Sequence, residues 1–246
     1  MSLKKDASIY LATNIVHKTI PFLLLPLLTR YLNPKQLGMV EMFVLSAAFM
    51  DMLICFNVDS AIGRGYFEFS ARDRLADYNG TGFILVSVSF VFISLLCIAF
   101  QKPLSSLTEL PVGWLVLAGT FAFAKCITLT NLILWRMEKK AATYGLYLIP
   151  YALLDMLLSV VLVVVIRNWP GRVLGMVVAA VVFALISIWI LQKRGYLKMA
   201  WERAYAKSIL RYCMPLLPHN LSSWVKGSLD LFVIGLFIGV EGVGIY

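Results

Sequence analysis

The feature that most constrains this chain is its set of unbroken apolar stretches about 20 residues long, the length that crosses a hydrocarbon core. One of them closes on LLSVVLVVVI, Leu157–Ile166, with a single hydroxyl and no charge. In lipid every backbone polar group must be satisfied internally, which leaves helical bundles and closed barrels. Barrel strands alternate apolar and polar residues over about 10 positions, a pattern absent from these runs. With 61% hydrophobic residues, 14% charged and a mean hydropathy of +0.84, the chain has too little polar surface for a water-soluble domain of 246 residues. The expectation is an all-α membrane protein.

Seven spans are predicted, over residues 8–31, 39–62, 80–100, 113–135, 144–166, 172–192 and 207–238. The last is too long for one straight crossing, and Pro215 and Pro218 near its start predict a kink or a start at the membrane surface. With the N-terminus cytoplasmic, fourteen of the 22 Lys and Arg fall in inside segments and five in outside segments, Arg172 among the five. That bias fits the alternation of spans and sets an orientation with the N-terminus in the cytoplasm. The net charge of +9 is therefore assigned to cytoplasmic loops and not to nucleic-acid binding. Two lysines precede a first apolar stretch that is too long for a signal peptide and lacks a cleavage site, so it is read as a retained helix.

Cys55, Cys97, Cys126 and Cys213 stand alone in or beside apolar runs. With no CxxC spacing, and with only His17 and His219 besides, no metal, cofactor or disulfide framework is expected.

Six charged residues fall near the midpoints of spans: Lys18, Asp51, Lys125, Asp155, Lys226 and Asp230. Facing lipid, each would cost about 2.5–3.5 kcal/mol on insertion scales, so each is expected to face protein or a wet cavity. Helical spacing groups them into stripes. Asn14, Lys18 and Pro21 share a face of the first span, and Asp51, Cys55 and Asp59 a face of the second. Tyr147, Tyr151, Asp155 and Ser159 recur every four residues in the fifth; Pro215, His219, Ser222, Lys226 and Asp230 recur every three or four in the seventh. Two readings compete. Three lysines and three aspartates form buried ion pairs that fix helix packing, or they line a path for a charged solute. The polar stripes on at least four helices favour the path, with Asn14, Lys18, Asp51, Lys125, Tyr147, Tyr151, Asp155, His219, Lys226 and Asp230 as its candidate lining. Prolines within spans, Pro21 and Pro26 included, free carbonyls and permit bending.

The chain also carries a faint internal repeat. YLNPKQLGMV (Tyr31–Val40) aligns without a gap on FIGVEGVGIY (Phe237–Tyr246), pairing Leu32 with Ile238, Leu37 with Val243 and Gly38 with Gly244; the same offset places Asn14 on Asn220. Six spans separate the copies, so the seventh enters the membrane in the same direction as the first. That is a parallel repeat about an axis along the membrane normal. It divides the chain into a six-helix lobe, residues 1–200, and the first helix of a second lobe, residues 201–246, with the remainder of that lobe expected beyond this sequence.

PFLLLPLLTRYLNPKQLGMVEMF, SAIGRGYFEF and LRYCMPLLPHNLSSWVKGSLDLFVIGLFIGVEGVGIY resemble corresponding stretches of the bacterial O-antigen and polysaccharide flippases. These belong to the multidrug/oligosaccharidyl-lipid/polysaccharide exporter superfamily. The resemblance implies two six-helix lobes around a central cavity in the bacterial inner membrane. It implies a carrier, not an enzyme, that moves undecaprenyl-pyrophosphate-linked sugar units between leaflets by alternating access, coupled in some members to a proton or sodium ion. Family members commonly place Arg after the aspartate matching Asp230, and Leu231 stands there here. In this reading Lys18, Lys125 and Lys226 contact the pyrophosphate, the aspartates balance or gate them, and Tyr147 and Tyr151 pack on sugar rings. A small-molecule exporter of the same fold and a non-transporting membrane assembly component are the alternatives. A membrane enzyme fits poorly, because the longest outside loop, QKPLSSLTELPVG, offers Glu109 as its only acid.

Overall fold

The computed structural model describes the backbone of residues 3–69 and 71–246, and their side chains except those of residues 3–6, 18 and 21. Among the described residues the chain is all helical: α1 (Leu3–Tyr31), α2 (Pro34–Cys55), α3 (Val58–Glu68), α4 (Arg72–Ala99), α5 (Gln101–Thr108), α6 (Val112–Met137), α7 (Ala141–Ile166), α8 (Pro170–Lys193), α9 (Arg203–Cys213), α10 (Leu217–Phe237) and α11 (Val240–Ile245). Six of them, α1, α2, α4, α6, α7 and α8, are long and apolar enough to cross a membrane. Their outer faces carry exposed Leu11, Phe22, Val91, Leu153, Val165 and Leu185, the surface that lipid and not water favours.

Local chemistry sets the boundaries that apolar runs alone do not. α2 starts at Pro34, five residues before the expected limit, because Asn33 and Gln36 form a capping box: the Asn33 side chain accepts from the Gln36 amide at 2.8 Å and the Gln36 side chain accepts from the Asn33 amide at 3.1 Å. It ends at Cys55, not at residue 62, since Phe56 and Asn57 both take left-handed backbone angles (φ 30° and 64°). The expected second span is thereby cut in two, and Asp59 moves onto α3. The expected seventh span is divided as well. The amphipathic α9 ends in a 3₁₀ turn at Met214–Leu216, and α10 begins after it. Lys226 and Asp230 dilute the apolar run of α10, which is not among the six spanning candidates. α1, in contrast, continues unbroken through Pro26.

The core lies where α2, α4, α6 and α8 meet, around Phe43, Ile54, Tyr78, Leu115, Leu134 and Val173. α7 packs outside it, between α1 and α8. The α7–α8 contact is close because Gly171 and Gly175 sit one turn apart on α8. A Cβ at Gly171 would lie 2.7 Å from the Leu162 carbonyl oxygen, and one at Gly175 would lie 2.7 Å from the Ser159 amide. Small residues four apart are how membrane helices bring backbones together without a hydrophobic driving force.

The segment joining α8 to α9 runs along the first turns of α4. Asn79 donates to the Tyr196 carbonyl at 2.9 Å, Thr81 to the Ala200 carbonyl at 3.1 Å, and the Lys198 amide to the Ala76 carbonyl at 3.3 Å. At this end Glu138 gathers Arg194, Tyr196 (2.5 Å) and Lys140 (3.1 Å). Burial would raise its carboxyl, but the donors from Tyr196, Lys140 and Arg194 outweigh it and hold it below the ordinary value.

Candidate functional site

A chamber of about 350 Å³ opens between α1, α6, α7 and α8. Asn14, His17 and Ile20 supply its α1 wall; Phe121, Lys125 and Thr128 come from α6, Tyr144, Tyr151 and Asp155 from α7, and Arg172 and Met176 from α8. Its centre is an ion pair. Arg172 Nη1 donates to Asp155 Oδ1 at 2.7 Å and Nη2 to Oδ2 at 3.4 Å, and Nη1 also donates to the Ser159 hydroxyl. Ser159 in turn donates to Asp155 Oδ1 at 3.3 Å. The Arg172 side chain is 10% exposed and that of Asp155 19%. A pair this enclosed repays its desolvation only when both ions have further polar partners, which Ser159 provides.

Lys125 differs. It is exposed on the chamber side of α6 and forms no ion pair with any described residue. Among the described lining residues, with Arg172 balanced by Asp155, Lys125 leaves one net positive charge. On the α1 side the His17 and Tyr151 rings stack with centroids 6.3 Å apart, and Asn14 accepts from Tyr144 at 3.3 Å. The arrangement offers a cation, a second cation held by a releasable carboxylate, and aromatic and amide walls. Its chemistry suits an anion with polar attachments.

Of the ten residues expected to line a common path, the structure brings Asn14, Lys125, Tyr151 and Asp155 together here. The Lys18 side chain lies outside the described residues. Tyr147 is turned away: it is buried against α8, its hydroxyl 2.6 Å from the Phe183 carbonyl and 2.5 Å from the Ser187 hydroxyl. The reason is helical drift, since four-residue steps advance a stripe by roughly 40° each. Asp51 is not in the chamber either; it accepts from the Cys55 thiol at 3.2 Å on the α2 face that meets α6. His219, Lys226 and Asp230 are exposed on α10 and do not reach it, and Asp230 accepts from the Tyr246 hydroxyl at 2.9 Å. α10 meets α2 through its other face, where Trp224 packs on Phe49, and Asn220 donates to Asn57 in the α2–α3 turn at 2.8 Å.

Arg172 is the residue that sequence reasoning misassigned. Two positions after Pro170, it counts as a loop cation, yet it is buried in the chamber. The signal for it was Asp155, an acid in an apolar helix with no cation on its own α7 stripe. An arginine at the head of the next antiparallel helix can reach such an acid with its long stem.

Comparison with known proteins agrees with this architecture. Two curated relatives from Haemophilus influenzae, protein 1 of the Lsg locus and an uncharacterized membrane protein, are each 24% identical to this chain over its full length. The chain spans 60% of the length of the first and 59% of the second. Among solved structures, a MATE protein crystallised in complex with Br-NRF superposes with a TM-score of 0.53 at 16% identity, covering 92% of this chain and 53% of that one. That likeness concerns the fold. The sequence profile described as "Polysaccharide biosynthesis protein" matches residues 3–246, and the chain belongs to that family.

Proposed function

We propose that this chain forms the carrier lobe of a flippase that moves an undecaprenyl-pyrophosphate-linked oligosaccharide, an O-antigen or capsule repeat unit, across the bacterial inner membrane. The observation that carries the reading is Lys125: an ammonium without an ion-pair partner among the described residues, opening into a polar chamber inside a membrane bundle. Ionisable groups in the apolar middle of a spanning helix are costly where they face lipid, and they mark solute paths. A family of polysaccharide biosynthesis proteins calls for a sugar substrate, and a diphosphate is the part of a lipid-linked sugar that a lone cation recognises. The chamber, at the small end of ligand sites of about 300–1,000 Å³, has room for the diphosphate, and the remaining sugars extend beyond it. Asp155 is the carboxylate placed to take up a coupling proton or sodium ion, which would release Arg172 toward the same anion. The orientation follows the positive-inside bias, strengthened by moving Arg172 from an outside loop into the chamber.

The test is Lys125→Ala in the full protein, scored by surface glycan in a deletion strain. Charged hydrogen bonds of about 1.5–3 kcal/mol predict at least about a tenfold loss of export at normal protein levels, with partial retention in Lys125→Arg. Unchanged export at normal levels defeats the assignment.

A further inference from the structure

α4 changes character partway along its length. Its first turns, Arg72–Thr81, hold four charged residues, and from Gly82 to Ala99 it holds none. That change marks the level where headgroups give way to hydrocarbon. α9 (Arg203–Cys213) meets α4 at this level. The Glu202 amide donates to the Thr81 hydroxyl at 3.2 Å, and a Cβ at Gly82 would lie 3.6 Å from Ile209 Cδ1. Through Ala206, Ile209 and Cys213, α9 buries one face against α3 and α4. It is placed as an interfacial helix is, along the membrane surface.

The outer face of α9 combines two chemistries. Arg203, Lys207 and Arg211 recur every four residues and are exposed, and among the described residues none of them forms an ion pair. Leu210 and Met214, three residues after Lys207 and Arg211, share that face. A charged helix face turned only to water has no use for large apolar groups among its cations. Here they line a groove of about 810 Å³ between α9 and α4, together with Trp201 and Leu85. From Leu85 the α4 surface continues through Val88, Phe92 and Leu95, each more than half exposed. The groove thus joins three cations at headgroup level to an apolar strip that faces lipid. We infer that it binds an anionic phospholipid, the phosphate held by Arg203, Lys207 and Arg211 and an acyl chain lying on Leu85 and along α4. Charge decides the class of lipid. Between Met199 and Met214 stand three cations and one acid, Glu202, so a zwitterionic headgroup would set its own ammonium against unpaired cations. The long Lys and Arg stems cover apolar surface while their heads reach a phosphate.

The site lies outside the chamber, and its test needs no transport. The full protein in phosphatidylcholine nanodiscs is titrated in turn with phosphatidylglycerol and with phosphatidylcholine, both carrying brominated chains. Quenching at Trp201, which is 53% exposed, is taken as the part of the signal that Trp201→Phe removes. Each cation near an anionic headgroup contributes about fivefold in affinity. Phosphatidylglycerol is therefore expected to quench Trp201 at a lipid fraction at least about tenfold lower than phosphatidylcholine does. Lys207→Gln/Arg211→Gln should raise the fraction of phosphatidylglycerol needed by at least about tenfold. Lys139→Gln/Lys193→Gln, which removes the same charge from exposed positions, leaves it unchanged. Equal quenching by the two lipids overturns the inference, and that comparison uses the unaltered chain, so it holds whatever the variants do. An equal loss in both double variants overturns it as well, since it would report the surface potential and not a site. Release of the phosphatidylglycerol signal by excess inorganic phosphate is the third overturning result, because a site that binds phosphate alone makes no use of the groove.

Discussion

The chamber and α10 carry the same kind of sequence pattern and end in opposite surroundings. In α7, Tyr151, Asp155 and Ser159 recur every four residues; in α10, His219, Ser222, Lys226 and Asp230 recur every three or four. The first set meets α1, α6 and α8, and its charge is paired within 2.7 Å. The second is exposed along its length, with none of its helix buried. A polar stripe fixes which groups share a helical face, but only a helix packed opposite decides whether that face is a site. For α7 the opposite helix is brought in by Gly171 and Gly175, which let α8 approach until Arg172 reaches Asp155.

The strongest way to break this contrast is Asp155→Leu. Removing the carboxylate leaves the Arg172 guanidinium buried with the Ser159 hydroxyl as its remaining hydrogen-bond partner among the described residues, and breaking such a pair costs about 3–5 kcal/mol. The expected outcome is a large drop in the thermal midpoint of the purified protein. Asp155→Leu/Arg172→Met should recover more than half of the loss, because the stranded charge is gone too. A double variant as unstable as the single would mean that the two groups do not act as a unit.

The glycines offer a milder comparison. Gly175→Val places a side chain where a Cβ already lies 2.7 Å from the Ser159 amide, so α8 must shift off α7 at a cost of about 1–3 kcal/mol. Gly227→Val, on α10, meets nothing within 4 Å and is expected to leave the midpoint unchanged. Equal effects would remove the distinction between a packed and an exposed polar stripe.

What could be read from the sequence divides along the same line. The spanning helices were legible because a run of about 20 apolar residues has few other uses. Asn14, Lys125, Tyr151 and Asp155 were legible as site candidates because charge and polarity in such a run are costly. The pairing of Asp155 was not, because Arg172 lies so near the head of α8 that its number places it in a loop; its side chain points down past Ser159 instead. Tyr147 was misplaced because a four-residue repeat is slightly longer than a helical turn, so its ring had rotated onto α8 by the time Asp155 faced the chamber. The break between α2 and α3 depends on left-handed angles at Phe56 and Asn57, and Phe gives no warning of that. The faint repeat, weak as a run of letters, gained its meaning only when Gly38 was found against the Val240 carbonyl and Gly244 against the Pro34 carbonyl.

The finest test of the contrast concerns Lys226, whose ammonium is exposed on α10. If that face of α10 borders a wet cleft, Lys226→Leu removes a solvated charge and stability changes by less than about 0.5 kcal/mol. If the face meets hydrocarbon, the same substitution removes a charge worth about 2.5–3.5 kcal/mol of insertion cost and raises the midpoint instead. The wet cleft is the expected case, since Ser222 and Asp230 share the stripe and Asp230 is already engaged by Tyr246. An unchanged midpoint combined with reduced glycan export would then give α10 a part in handling the proposed substrate. A raised midpoint would restrict the polar path to α1, α6, α7 and α8 and leave the stripe of α10 without a role in transport.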